Sequence, residues 1–161
     1  MLSPNHDFQI AAPRLRHFAE FRVQVGPAQE VGETTRGLRR VIPIVGGQVQ
    51  AEDWSARVLP GGADFQLLVS EEVAELDARY VIETDGGDLI YVSNQALRTG
   101  PAELMQRLRR GETVDPSAIY FRCAPRFETA SKRFAWLGQR LFVGAGARFP
   151  EQVVMRFFEV L

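Results

Sequence analysis

Residues 76–94 read LDARYVIETDGGDLIYVSN, and this stretch decides the fold. Asp85-Gly86-Gly87-Asp88 interrupts two runs rich in Tyr, Val and Ile. Glycine enters φ > 0 at no steric cost, so the segment predicts a β-hairpin. Along its first arm Leu76, Ala78, Tyr80 and Ile82 share one face, while Asp77, Arg79, Val81 and Glu83 share the other. That period of two is the mark of a strand buried on one side.

The pattern repeats outward in both directions. Upstream, Ala19, Phe21, Val23 and Val25 alternate with Glu20, Arg22 and Gln24 until Gly26-Pro27 stops the strand. Gln29 to Thr35 and Leu38 to Val45 read as further strands, with Gly46-Gly47 as a turn into Gln48 to Glu52. Pro43 predicts a bulge or an edge, because proline cannot donate to the ladder. Pro60-Gly61-Gly62 then precedes a strand from Ala63 to Val69. Downstream, Pro101 and Glu103 open one short helix with Leu104, Met105 and Leu108 as its apolar stripe and Gly111 as its stop. Ile119 to Pro125, a helical turn over Ser131 to Leu137, Arg140 to Phe149, and Gln152 to Leu161 complete the chain.

Nine or ten short strands at regular spacing, with one helix, indicate an all-β domain. Closure removes exposed strand edges, so the expected architecture is a single closed antiparallel β-barrel. A chain of 161 residues fits one domain. Residues 1–16 read as a flexible N-terminal arm and 17–161 as the barrel.

Composition narrows the partners. With 19 basic and 20 acidic side chains the net charge is −1, so no long-range field selects a nucleic acid or an anionic membrane. No run approaches the ~20 apolar residues of a membrane helix, and nothing at the start resembles an export signal. One cysteine cannot form an internal disulfide, which makes a reducing cytoplasm the expected location. Two histidines and one cysteine leave no Cys/His zinc site within the chain, and no cofactor is expected. Assembly into an oligomer of identical chains stays open.

Several local patterns suggest chemistry and then fail a structural requirement. Gly144-Ala145-Gly146 with Arg148 hints at a phosphate loop, but Phe149-Pro150 follows where a helix must begin, so a bent strand is expected. Asp85 and Asp88 lack the alternating ligands of a calcium loop and belong to a hairpin tip. Cys123 lies within an apolar strand and reads as a small buried hydrophobe. No serine occupies a nucleophile elbow.

Charges and amides inside apolar strands carry more information. Asp64 shares a strand face with Gln66, Arg79 shares one with Glu83, Arg122 interrupts Tyr120-Phe121, and Glu128 follows Phe127. Turned inward, they form a polar site in an apolar cup, where charges must pair and pKa values move. On this reading Asp64 and Glu128 are the acid/base candidates, Arg79 and Arg122 hold an anionic or carbonyl group, and Gln66, Tyr80 and Trp136 line the pocket. Turned outward, the same residues are the solvated half of each strand. Periodicity alone does not choose between the two.

An ordered set of strings resembles the DUF3237 family, also called UPF0311. The strings are Arg40-Val41-Ile42-Pro43-Ile44 with Gly46-Gly47, Leu59-Pro60-Gly61-Gly62-Ala63-Asp64, and Leu76-Asp77-Ala78-Arg79-Tyr80. Tyr120-Phe121-Arg122, Pro125-Arg126-Phe127-Glu128-Thr129, and Trp136-Leu137 before Leu141-Phe142-Val143-Gly144 follow. The resemblance spans roughly residues 15–161 and implies a compact barrel of lipocalin-like outline, with no particular activity. This chain has Ser70-Glu71-Glu72 where the family pattern favours an Asp-Gly turn. Two functions fit: a barrel that binds, and isomerises or cyclises, a small organic molecule in an internal pocket, or a non-catalytic binding or interaction module whose charge pairs are structural.

Overall fold

Ten strands form in chain order: β1 (Leu15–Val25), β2 (Gln29–Thr34), β3 (Gly37–Ala51), β4 (Ser55–Val58), β5 (Gly62–Leu68), β6 (Val73–Thr84), β7 (Leu89–Thr99), β8 (Tyr120–Thr129), β9 (Phe142–Arg148) and β10 (Gln152–Val160). One α-helix, α1 (Ala102–Arg109), and two short 3-10 turns, Pro116–Ala118 and Ala135–Gln139, join them. The structure is a computed structural model and describes residues 9–161. β1 begins at Leu15, two residues before the expected domain boundary, and residues 1–8 of the expected arm lie outside the described residues. No helix among the described residues is long and apolar enough to cross a membrane.

Every pairing is antiparallel. β1 pairs with β10 on one side and β3 on the other, which closes the sheet. β4 and β5 both lie between β3 and β6, so they share one wall position in a barrel of eight. β2 continues the line of β1 along β3 and projects beyond the wall. Pro43 sits opposite the Gly26-Pro27-Ala28 break between β1 and β2, and its carbonyl accepts from the Gly26 N–H at 2.8 Å. Its missing donor therefore faces a gap in the ladder and costs no bond.

Gly46-Gly47 departs from the expected turn. β3 runs straight through it for 15 residues. It is paired with β1 there, Gly47 opposite Val23, just before the register shifts: a Cβ on Gly47 would stand 2.2 Å from the Arg22 carbonyl oxygen, and its φ of +141° suits glycine. Gly47 marks an irregular, close pairing of β3 with β1 rather than a reversal of direction.

Two different ends result. At one end Phe18, Trp54, Phe127, Phe134 and Phe142 pack ring against ring, with Phe18 and Phe142 centroids 4.9 Å apart and Phe127 and Phe142 5.0 Å apart. Phe21 and Phe157, fully buried and 4.6 Å apart, extend this plug into the barrel. Tilted and edge-to-face aromatic pairs of this kind add about 0.5–1.5 kcal/mol each beyond their burial. Gly144 and Gly146 occupy inward positions of β9 and make room for it: a Cβ on Gly144 would meet Phe157 Cδ1 at 2.6 Å, and one on Gly146 would meet Met155 Sδ at 2.5 Å. The other end is flanked by α1, which buries Met105 and Leu108 and is followed by Gly111 at positive φ.

Candidate functional site

The inward face of each strand changes chemistry as it approaches the α1 end. β3 runs Ile44, Ile42, Arg40; β7 runs Ile90, Val92, Asn94, Ala96, Arg98; β9 runs Phe142, Gly144, Gly146, Arg148. β5, which spans only this half of the barrel, adds Asp64 and Gln66. Three arginines, one carboxylate and two amides thus converge at the ends of four strands far apart in sequence.

All but Arg40 line a cavity with room of about 40 Å³ for water-sized contents. Asp64, Gln66, Tyr80, Asn94, Arg98 and Arg148 supply its polar lining, while Val23, Ile44, Leu76, Phe121 and Met155 belong to its apolar wall. At Val25, Ile42 and Arg148 the cavity meets an open groove of about 890 Å³ on the barrel mouth. Arg40, Arg109, Phe149 and Pro150 also line that groove.

A relay of hydrogen bonds runs inward from the rim. Arg40 Nε donates to Glu30 Oε1 at 2.8 Å, Arg40 Nη2 to the Arg109 carbonyl at 3.2 Å, and Arg40 Nη1 to Gln66 Oε1 at 3.3 Å. Gln66 Nε2 donates in turn to Asp64 Oδ2 at 2.8 Å. The relay then stops. Asp64 Oδ1, Asn94 Oδ1, Arg98 Nε and Arg148 Nη1 are shut off from solvent and have no hydrogen-bond partner among the described residues. Such atoms are rare in folded proteins, and each costs about 1–3 kcal/mol.

Burial sets the ionisation. It pushes the Asp64 carboxyl above its ordinary value, against the lowering effects of the Gln66 amide and the Arg98 charge. It brings Arg98 down to about 10; Arg148 and Arg40 add to that and Asp64 opposes it. Arg148 is lowered for the same reasons, burial first and Arg40 second. Tyr80 is driven far above its usual range by burial and stays a phenol. Arg98 remains cationic at neutral pH and rests against the Phe121 ring, its guanidinium carbon 5.6 Å from the centroid. The arrangement can grip an oxygen-bearing group between guanidiniums and move a proton at Asp64.

The sequence candidates divide by strand parity. Asp64, Gln66 and Tyr80 line the cavity. Arg79, Arg122 and Glu128 lie exposed on the outer face of β6 and β8. Arg79 pairs there with Asp77 at 3.1 Å, and Arg122 stacks on Tyr120 at 5.2 Å. Trp136 caps the aromatic end, over Phe18 and Phe142, away from the polar cluster. Arg40, Asn94 and Arg98 are site residues that the sequence does not single out, and Arg148 enters there only with the rejected phosphate loop, although each shares its period-two face with buried apolar residues. Cys123 is buried as expected, and burial pushes its thiol up to about 12.

The family model described as "Protein of unknown function (DUF3237)" matches residues 13–160. The chain belongs to the DUF3237 family. A UPF0311 protein of Rhodopseudomonas palustris is 49% identical over 138 residues, 86% of this chain and 90% of that protein. The crystal structure of a conserved R. palustris protein of unknown function superposes with a TM-score of 0.89 at 44% identity, covering 94% of this chain and all of that one. Similarity to two Penicillium proteins is weaker. The PR-toxin biosynthesis cluster protein 7 of Penicillium roqueforti is 27% identical over 154 residues, 82% of this chain and 81% of that protein. An enzyme from Penicillium herquei shares the fold at a TM-score of 0.71 and 16% identity, over 96% of this chain and 98% of that one.

Proposed function

We propose that the barrel binds a small organic molecule at its α1 end and isomerises or cyclises it by proton transfer at Asp64. The observation that carries this reading is the buried carboxylate with one oxygen held by Gln66 and the other, Oδ1, without a partner beside the cavity. Its ionised form accepts a proton at Oδ1 from an acidic C–H or O–H of the bound molecule. The same oxygen returns that proton to a second atom, so the product has the composition of the substrate. Arg98 and Arg148 face the oxygen on which negative charge develops. The relay Glu30–Arg40–Gln66 fixes the carboxylate's rotamer and makes these three positioning residues. The names of the two fungal proteins, one an enzyme and one from a toxin biosynthesis cluster, agree with small-molecule chemistry.

The second reading, a non-catalytic binding module, is favoured by the small cavity, which admits a head group rather than a whole metabolite. A metabolite library screened by thermal shift separates the possibilities. Compounds bound in the cavity stabilise the parent protein and lose that effect in Ala78→Leu, which fills the cavity from its wall. Conversion of any such compound by the parent but not by Asp64→Asn supports catalysis. Binding without conversion leaves the module, and binding untouched by Ala78→Leu refutes the site.

A further inference from the structure

The charges at the α1 end do not balance. Three guanidiniums, those of Arg40, Arg98 and Arg148, repel one another here, and the single interior carboxylate, Asp64, is felt by Arg98 and Arg148 alone. Glu30 compensates Arg40 from the rim through their 2.8 Å ion pair. Arg98 and Arg148 are left to share Asp64, and neither forms a salt bridge with it. One cation is therefore in excess when Asp64 is ionised, and two when it is not. A guanidinium is expensive to bury without a counter-charge, and Arg98 is 5% exposed.

We infer that the natural ligand of this barrel is a monocarboxylate whose head group enters the cavity between Arg98 and Arg148 and whose tail lies in the groove at the mouth. The inference rests on the small-molecule reading of the cavity and adds the ligand's charge and shape. Geometry selects the class. The unpartnered Arg98 Nε and Arg148 Nη1 are donors that a planar two-oxygen group can satisfy together. One negative charge completes the balance, where a phosphate dianion overshoots it whenever Asp64 is ionised. Space of about 40 Å³ holds a head group and excludes the rest of an organic acid. The rest must occupy the groove of about 890 Å³, where Val25, Pro27, Val45, Phe149 and Pro150 offer apolar contact. Arg148 belongs to both spaces and marks the junction of head and tail.

Calorimetry on the full chain at low salt tests this with hexanoate, benzoate, acetate, hexanamide, benzamide and inorganic phosphate. Hexanoate or benzoate binds about tenfold or more tightly than its amide and than acetate, and phosphate does not displace it. Arg148→Met weakens the carboxylate about tenfold and leaves the amide unchanged. Asp64→Asn, which removes the competing negative charge at nearly constant shape, tightens carboxylate binding several-fold. That variant reports even if Arg148→Met fails to fold. Amides that bind as well as carboxylates overturn the anionic ligand but keep a small-molecule site, as does Asp64→Asn weakening the carboxylate. Displacement by phosphate overturns the choice of carboxylate. Absence of binding by every carboxylate overturns the inference, and binding unaffected by Ala78→Leu overturns the site as well.

Discussion

Replacing Arg98 with methionine is expected to make the ligand-free protein more stable. Arg98 is buried at the α1 end of β7, its Nε has no partner, and burial lowers its guanidinium from 12.5 to about 10. At about 1.4 kcal/mol for each factor of ten, holding the charge there costs the fold roughly 3 kcal/mol. The folded-state value lies below the unfolded one, so the penalty is complete at any pH below about 10 and fades only as the pH rises past it. One loss offsets the gain: the guanidinium gives up its contact with the Phe121 ring, worth about 0.5–2 kcal/mol, while the attraction of Asp64 is already contained in the lowered value. Methionine is flexible enough to fill the vacated path. The balance is a stabilisation of about 1–2 kcal/mol, within the range seen when buried ionic groups become apolar. For a chain of this length that raises Tm by about 2–8 °C. Thermal melts followed by circular dichroism, repeated by urea titration, read it directly. A fall in Tm of more than about 3 °C refutes the reasoning, because Arg98 would then be a net structural anchor.

Three further outcomes follow from the same geometry. Burial raises the Asp64 carboxyl above 3.8, so its contribution to stability is full below that value and is lost as the pH climbs through the folded-state value. Melts from about pH 3 to 7 should show Asp64→Asn gaining on the parent as the pH rises, and parallel curves would contradict this. Gly144→Ala places a methyl 2.6 Å from Phe157 Cδ1 and 2.7 Å from Cys123 Sγ, which predicts a loss of about 1–3 kcal/mol by denaturant melt; an unchanged midpoint counts against the packing described. With its thiol pushed up to about 12, Cys123 should react with a thiol reagent only after unfolding, and rapid stoichiometric labelling of native protein would disprove its burial.

Fold and site were unequally legible in the sequence. The Asp85–Asp88 turn and the alternation of β1 and β6 were enough to indicate an antiparallel barrel, because a period of two is a local property. Asp64 and Gln66 were legible as a pair for the same reason. Arg79 and Tyr80, however, are neighbours on one strand and cannot both face inward without a bulge, and the apolar company of Tyr80 decides between them. Arg98 was hidden because the strand reading ended at Asn94, whereas β7 continues to Thr99. Arg148 was hidden behind two glycines that read as a bend, though they are inward positions cleared for Phe157 and Met155. What no local pattern contains is the register that brings the ends of β3, β5, β7 and β9 to one place. That is fixed by pairings between residues tens of positions apart.

The aromatic plug has a kinetic consequence. A barrel sealed at one end is a cul-de-sac, and whatever enters past Arg148 must leave by the same door. Only one head group fits the dead end at a time, so a departing ligand and an arriving one are mutually exclusive occupants. Were the barrel catalytic as proposed, product inhibition in such a vessel would be competitive by construction, and turnover could not outrun the clearing of the doorway.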